Sequence, residues 1–256
     1  MPFENIPKVV GMVYAVVALA ILVYLFLSNR FNRKIGYVFL VISSIVGFLV
    51  FAPMFPHQFQ LLVLRDTDSL GAPIPMVLVG LLLFIAVTFV FGRLFCGYIC
   101  PIGAVQELIY LLPVKKFKIK NKAIPIVFRG VFTAGLIISG LLFSIGILRY
   151  TGVSDFFNLN VSSIFFYIFP ILLLISIFVY RPFCRFLCPY GVFLSLASSI
   201  GIFKLRRNDR CIECGKCETA CPTNEAGRDD LKQECYMCNR CRDVCPVSAV
   251  EYRRKK

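Results

Sequence analysis

The feature that most constrains this chain is a cysteine pattern that occurs twice near its C-terminus. The copies are Cys211-x2-Cys214-x2-Cys217-x3-Cys221-Pro222 and Cys235-x2-Cys238-x2-Cys241-x3-Cys245-Pro246. This is the ligand spacing of two-cluster [4Fe–4S] domains of the bacterial ferredoxin type. Zinc explains the pattern poorly, because zinc ribbons need neither the close third cysteine nor a fourth cysteine followed by proline. The pattern therefore predicts two [4Fe–4S] clusters and electron transfer.

Cysteines of both runs are expected to share each cluster. In paired runs of this kind, the fourth cysteine of each run binds the cluster of the other run. The first predicted cluster has the ligands Cys211, Cys214, Cys217 and Cys245, and the second has Cys235, Cys238, Cys241 and Cys221. Because about fifty residues bury little apolar core, we expect the clusters to hold this module together. Short strands at 203–207 and 250–253 are expected to flank it.

The chain that precedes this module is apolar enough for a bilayer. Of its 256 residues, 58% are hydrophobic, which exceeds the share of about 45–50% in soluble domains. Five stretches approach the roughly 20 apolar residues that a membrane helix needs: 9–27, 35–55, 76–95, 124–145 and 163–180. The predicted fold is therefore mostly α, with about five transmembrane helices followed by a small α+β ferredoxin-type domain.

The charge of the chain predicts its orientation in the membrane. The net charge is +14, and every second loop between the predicted spans is basic. The loops at 28–34 and 113–123 hold lysine and arginine without any acid. The positive-inside rule then places the N-terminus outside and the C-terminal domain in the cytoplasm. We attribute the excess of positive charge to this rule and expect no nucleic-acid partner.

The membrane part contains an internal repeat. Residues 93–103 read RLFCGYICPIG, and residues 181–191 read RPFCRFLCPYG, so Arg, Phe, both Cys, Pro and Gly coincide. We infer two related hairpins and three units: an N-terminal helix (1–34), a repeated transmembrane domain (35–201) and the ferredoxin-like domain (202–256). Because proline disfavours helix at the preceding residue, we expect a break at Cys100 and Cys188, followed by a helix at the membrane interface.

The repeat supplies four further candidate ligands: Cys96, Cys100, Cys184 and Cys188. Our favoured interpretation is that the two pairs converge on a third iron–sulfur cluster or another metal site. A redox-active dithiol and four buried thiols that pack as small apolar groups are the alternatives. Arg93 and Arg181 precede the pairs by three residues, where a cation can offset the charge of thiolates or of a cluster.

The combination of both motifs resembles a known family. Repeated Arg-x-Phe-Cys-x3-Cys-Pro-x-Gly segments followed by a double-cluster ferredoxin domain look like the NapH-type quinol dehydrogenases, and are similar to the membrane part of NosR-type proteins and to CcoG-type oxidase-assembly proteins. This resemblance covers roughly residues 76–250. It implies a prokaryotic integral membrane protein that passes electrons between the quinone pool and a redox partner, as a subunit of a respiratory or redox complex.

Other residues limit the alternatives. His57 is the only histidine, so a haem with two histidine ligands cannot form within the chain. We expect His57 to be a solvated or hydrogen-bonded residue of an outer loop, and a ligand or quinone contact is the alternative. Arg129 is expected to reach the cytoplasmic interface, with a functional role inside the fourth span as the alternative. Glu107 is expected to be an exposed helix acid, with proton transfer during quinol chemistry as the alternative. The chain is then an electron-transfer subunit of an oxidoreductase, with lipid, redox subunits and quinone as partners. A membrane copper reductase or an oxidase-assembly factor is the alternative.

Overall fold

The computed structural model describes residues 6–50, 55–66 and 73–254. Helices in this part of the chain are α1 (Ile6–Leu27), α2 (Arg33–Val50), α3 (Phe55–Leu64), α4 (Ile74–Phe91), α5 (Pro101–Tyr110), α6 (Ala123–Phe143), α7 (Val153–Phe157), α8 (Ile168–Phe178), α9 (Tyr190–Ile200), α10 (Lys216–Ala220) and α11 (Arg240–Asp243). Two π-helical turns, Phe95–Ile99 and Phe183–Leu187, precede α5 and α9. The 3-10 turns are Ile147–Thr151 and Ile164–Tyr167.

The membrane part is helical, as predicted. Four helices, α1, α2, α4 and α6, are long and apolar enough to cross a bilayer. The fifth predicted span is the shorter apolar segment Ile164–Phe178, which begins as a 3-10 turn and continues as α8. Large apolar side chains such as Leu49 and Leu142 are more than two thirds exposed on the outside of the bundle. A hydrocarbon environment removes the cost of exposing this surface.

The first cysteine motif turns back into the helix bundle. Helix α4 ends at Phe91, where the carbonyl oxygen accepts a 2.8 Å hydrogen bond from the Tyr252 hydroxyl of the C-terminal domain. Gly92 then adopts a φ of +76°, a left-handed conformation that glycine tolerates without steric cost. The chain reverses there, and the Tyr98 carbonyl comes within 2.7 Å of the Ser43 hydroxyl on α2.

The depth of the first motif follows from its neighbours on α2. Arg33, at the start of α2, forms a 3.3 Å ion pair with Asp243 of the C-terminal domain. Gly47 lies against Pro101, and it is about 21 Å further along the helix axis than Arg33. Cys100 therefore lies deep in the bundle, far from the face that carries the C-terminal domain. The absence of a side chain at Gly47 allows this close approach.

The second motif follows a similar path. Arg181 has a φ of +47°, and α9 then starts where the Tyr190 hydroxyl donates to the Leu81 carbonyl in the middle of α4. The helix ends near Phe89, where the carbonyl accepts a 2.9 Å bond from the Ile202 amide. The predicted break at each second cysteine is confirmed, but the prediction of interfacial helices is wrong. Helices α5 and α9 run back through the bundle, and most of α5 is buried.

The C-terminal domain packs against the same end of the bundle. Strands β1 (Phe203–Arg207) and β2 (Val250–Arg254) pair antiparallel, with Leu205 opposite Tyr252, which confirms the predicted strands. Phe91 stacks on Phe203 across this contact. The proposed division at residues 34/35 and 201/202 stays a prediction.

Candidate functional site

Three pockets are each lined by one predicted set of four cysteines. The first contains Cys211, Cys214, Cys217 and Cys245. The second contains Cys221, Cys235, Cys238 and Cys241, with Cys217 at its edge. The third, the membrane cysteine site, contains Cys96, Cys100, Cys184 and Cys188. The fold thus brings together distant cysteines in the combinations expected from sequence, including the exchange of the fourth ligand between the two runs.

The two ferredoxin pockets show a shared pattern of hydrogen bonds to sulfur. The Glu225 amide donates to Cys221 Sγ at 3.3 Å, and the Ala249 amide donates to Cys245 Sγ at 3.2 Å. In each run the donor lies four residues after the cysteine whose sulfur accepts the bond, so the two runs adopt the same local turn. Burial raises the pKa of Cys235 to about 12. Because cysteine binds metal as a thiolate, metal binding at this position would release a proton.

The membrane cysteine site is built by the two π-helical turns. The Cys100 amide bonds to the Phe95 carbonyl at 3.0 Å, and the Cys188 amide bonds to the Phe183 carbonyl at 2.9 Å. The following helices continue each turn, since the Ala104 amide bonds to the Cys100 carbonyl at 2.8 Å and the Gly191 amide bonds to the Cys188 carbonyl at 3.1 Å. The two copies of the repeat therefore place their second cysteines in similar local structures.

One side chain joins the two halves of this site. The Gln106 amide donates to Cys184 Sγ at 3.4 Å, and its oxygen accepts a 3.0 Å bond from the Phe183 amide. Gln106 follows the first copy of the repeat, where its amide nitrogen also bonds to the Ile102 carbonyl at 3.0 Å, whereas Cys184 and Phe183 belong to the second copy. The membrane cysteine site is therefore held by contacts across the repeat and not by either copy alone.

A group of buried charges lies between the membrane cysteine site and the C-terminal domain. We call it the arginine layer, and it consists of Arg93, Arg129, Arg181, Arg185, Arg240, Glu107 and Glu234. The first four arginines are the largest side chains among the fully buried residues of the described chain. Glu234 is within 3.1 Å of Arg93 and 2.7 Å of Arg129. Glu107 is within 2.9 Å of Arg181 and 2.6 Å of Arg240.

The carboxylates of this layer stay ionised although they are buried. Burial alone would raise the pKa of Glu234, but the neighbouring Arg93 and Arg129 lower it below its usual range. Five guanidinium groups thus face two carboxylates, and the protein leaves a positive excess next to the cysteines. The Nε atoms of Arg93, Arg129 and Arg185 have no hydrogen-bond partner among the described residues. Uncompensated buried charge is costly, so the layer requires further negative charge nearby.

Iron–sulfur clusters fit this requirement. Four thiolates around a core of about +2 give a net charge of about −2, and the membrane cysteine site lies beside Arg93 and Arg181. In residues 6–50, 55–66 and 73–254, no three His, Cys, Asp or Glu side chains are placed to hold a metal ion. The cysteines instead surround pockets, and a cubane cluster separates its thiolates more widely than a single ion does. The copper alternative gains no supporting observation from this arrangement.

Tyr236 connects the membrane cysteine site with the second ferredoxin pocket. Its side chain lines both pockets, and it lies between Cys235 and Cys238 in sequence. The ring lies 4.3 Å from the guanidinium carbon of Arg93 and 4.9 Å from that of Arg181. Cation–π contacts of this type hold an aromatic ring in one orientation.

Several expectations about single residues need correction. Arg129 does not reach the interface, because it is 1% exposed and paired with Glu234. Glu107 is not an exposed acid, because it is 5% exposed and bound by two arginines. Both predictions were wrong for the same reason: the repeat re-enters the bundle, and a local pattern does not show that. His57 was expected in a loop but lies on α3, where it lines a pocket at the opposite end of the bundle. The solvated or hydrogen-bonded state of its side chain stays a prediction.

Sequence reasoning also missed Gln106, Ser195, Glu234 and Tyr236. The offset of 88 residues between Arg93 and Arg181 gives a partial signal. The same offset makes Glu107 and Ser195 equivalent positions of the two copies. The arginine of each copy binds the residue at this position in the other copy, since Arg181 binds Glu107 and Arg93 binds Ser195. The second copy lacks the acid, and Glu234 of the C-terminal domain supplies it.

Family models agree with both cysteine motifs. A model described as a 4Fe-4S binding domain matches this chain twice, at residues 73–120 and 163–208, once over each copy of the repeat. A second 4Fe-4S binding domain model matches residues 207–224. No solved structure matches.

Curated relatives extend the similarity beyond the motifs. Uncharacterized protein MJ0750 of Methanocaldococcus jannaschii is 30% identical over 65% of this chain and 74% of its own length. The putative electron transport protein YccM of Escherichia coli is 30% identical over 71% of this chain and 54% of its own. The regulatory protein NosR of Stutzerimonas stutzeri is 28% identical over 80% of this chain but only 32% of its own length. The chain belongs to the NapH/NosR-type family of membrane-associated, ferredoxin-type electron transport proteins.

Proposed function

We propose that this protein carries electrons between the quinone pool and a redox partner on the cytoplasmic side, as a subunit of a membrane redox complex. The observation that supports this most directly is the order of the pockets. The membrane cysteine site shares Tyr236 with the second ferredoxin pocket. That pocket shares Cys217 with the first ferredoxin pocket. Three sites in contiguous order suit electron transfer from within the bilayer to the protein surface.

The residues that would hold the cofactors follow from these pockets. Two [4Fe–4S] clusters would be held by Cys211, Cys214, Cys217 and Cys245, and by Cys235, Cys238, Cys241 and Cys221. A third iron–sulfur cluster would be held by Cys96, Cys100, Cys184 and Cys188. When bound, such clusters supply one-electron carriers. The chain contributes the amide donors to sulfur, the positive charge of the arginine layer and the exclusion of water around the membrane cysteine site.

The exit of electrons is expected at the first ferredoxin pocket. Cys214 is the exposed member among the cysteines, and the neighbouring Ile212 is 62% exposed. An apolar exposed residue beside an accessible cysteine is a suitable contact for a redox partner. The basic loops at 28–34 and 113–123 lie on the same side as this domain, and by the positive-inside rule this side faces the cytoplasm.

Quinol-driven reduction tests the proposal. Anaerobically purified protein in detergent is mixed with a short-chain naphthoquinol, and the reduced ferredoxin clusters are followed by electron paramagnetic resonance. We expect reduction in the wild type and loss of most of it in the Cys96→Ser/Cys184→Ser double variant. Dithionite, which reaches the surface clusters directly, should reduce both proteins equally. Equal quinol-driven rates in both proteins would contradict the proposed order of sites.

A further inference from the structure

A polar pocket lies at the end of the bundle opposite the C-terminal domain. It is formed by α3, by the 3-10 turn at Ile147–Thr151 and by α7. Polar members of its lining include His57, Gln60, Arg149 and Asp155. Nothing in the electron path between the three cysteine sites uses these residues.

Two residues separate this polar pocket from the membrane cysteine site. Pro56 and Ile102 line both cavities. Ile102 follows Cys100 by two residues at the start of α5, and it is 1% exposed. The wall is therefore one layer of apolar side chains, which excludes water while it keeps a ligand in the polar pocket close to the cysteines.

The lining of the polar pocket fits a carrier of both electrons and protons. Gln60 is 5% exposed and is held in place because its oxygen accepts a 2.6 Å bond from the Leu148 amide. Asp155 is held by the Ser163 hydroxyl at 2.7 Å. Arg149 and Tyr150 stand at the exposed rim and offer donors to a carbonyl or hydroxyl oxygen. Apolar contacts come from Leu61, Leu64 and Val153.

We infer that this pocket is the binding site for the headgroup of a quinol, an inference that rests on the proposed function. Oxidation of the quinol releases two electrons and two protons and leaves the quinone. An iron–sulfur cluster held by Cys96, Cys100, Cys184 and Cys188 would supply the one-electron acceptor, and Pro56 and Ile102 separate that site from the headgroup. The protons pass to His57 and Asp155 as bases and then to the medium on this side. The reverse reaction balances in the same way.

Binding of a quinone analogue tests the site without any electron transfer. A fluorescent hydroxyquinoline N-oxide is titrated into the purified holoprotein, and quenching of its fluorescence reports occupancy. We expect saturable quenching in the wild type and at least tenfold weaker binding in His57→Gln and Asp155→Asn. The control Tyr167→Phe changes a residue that is 54% exposed outside this pocket, and it should bind like the wild type.

Quinol-driven reduction of the clusters supplies the second readout. The two pocket variants should be slowed by about 10²-fold, because a positioned base typically contributes this much. Their reduction by dithionite should be unchanged, which shows that they are folded and loaded with iron. Full quinol-driven rates and normal analogue binding in both pocket variants would overturn the assignment while leaving the proposed function intact. A wild type that no quinol reduces would instead defeat the proposed function.

Discussion

The cysteine pairs of the membrane site and the cysteine runs of the ferredoxin module all end in Cys-Pro. The two regions differ in which parts of the chain contribute the cysteines of one pocket. In the module, each pocket takes three cysteines from one short run and its fourth predicted ligand from the other run. In the membrane, the two pairs lie in different copies of the repeat, and Gln106 joins them. We expect clusters to hold the small module together, because it buries little apolar core. The membrane pairs sit in two π-helical turns inside a bundle that is held by helix packing. Loss of ligands should therefore affect folding in one region and only cofactor content in the other.

The largest expected effect is loss of structure in the module. Cys241→Ala should prevent binding of the second cluster. Cys221 of the first run would then no longer be linked to the second run, and the module should unfold. In Cys96→Ser/Cys184→Ser the bundle should stay folded, because apolar helix packing holds it together even where the arginine layer loses the negative charge of a cluster. Limited proteolysis under anaerobic conditions measures this, with cleavage after 202 expected only in Cys241→Ala. Equal protease resistance in both variants would remove the contrast between the two regions.

The next effect concerns the buried charges that join the two regions. Glu234→Gln removes the carboxylate that pairs with Arg93 and Arg129, and breaking a buried pair costs about 3–5 kcal/mol. A clear drop in the thermal midpoint of the purified protein is expected. Arg228→Gln is the matched control, because its pair with Glu213 is exposed and such pairs contribute about 0–1 kcal/mol. Similar midpoints for the two variants would show that the arginine layer does not stabilise the domain contact.

A smaller effect is expected where the module touches the first π-helical turn. A Cβ at Gly97 would overlap the Tyr236 carbonyl, so Gly97→Ala should displace the module and cost about 1–3 kcal/mol. Gly130→Ala provides the control, since a Cβ at Gly130 meets no atom within 4 Å. Thermal midpoints again measure the difference. A Gly97→Ala protein as stable as Gly130→Ala would mean that the two regions are not packed as closely as described.

The smallest expected effect comes from variants that distinguish the contribution of the Tyr236 ring from that of its hydroxyl group. The ring contacts both Arg93 and Arg181, but the hydroxyl has only a long 3.4 Å bond to Glu234. Tyr236→Phe should therefore transfer electrons from quinol to the ferredoxin clusters at nearly the wild-type rate. Tyr236→Leu, which lacks the ring, should be slower by about tenfold or more. A strong defect in Tyr236→Phe would indicate that the hydroxyl, and not the packed ring, matters.

The sequence predicted which cysteines share a pocket better than it predicted the surroundings of those pockets. The spacing around Cys211 and Cys235 is a local pattern, so the grouping of the cysteines and the flanking strands could be predicted, while their role as cluster ligands stays a prediction. Glu107 and Arg129 could not, because their burial depends on re-entrant segments that a hydropathy window does not distinguish from surface helices. Glu234 was missed for a further reason: its partners Arg93 and Arg129 lie more than a hundred residues away. Only the three-dimensional fold shows that Glu234 of the ferredoxin module pairs with arginines of the membrane part.

Iron content tests the central claim most directly. The claim is that three sets of four cysteines each hold a cluster in one continuous path. Anaerobically purified wild-type protein should contain about 12 irons per chain if all three clusters are cubanes, and the Cys96→Ser/Cys184→Ser variant about 8. The variant should keep the resonance signals of its two ferredoxin clusters. An iron content and a spectrum that are the same in both proteins would show that the membrane cysteines hold no cluster.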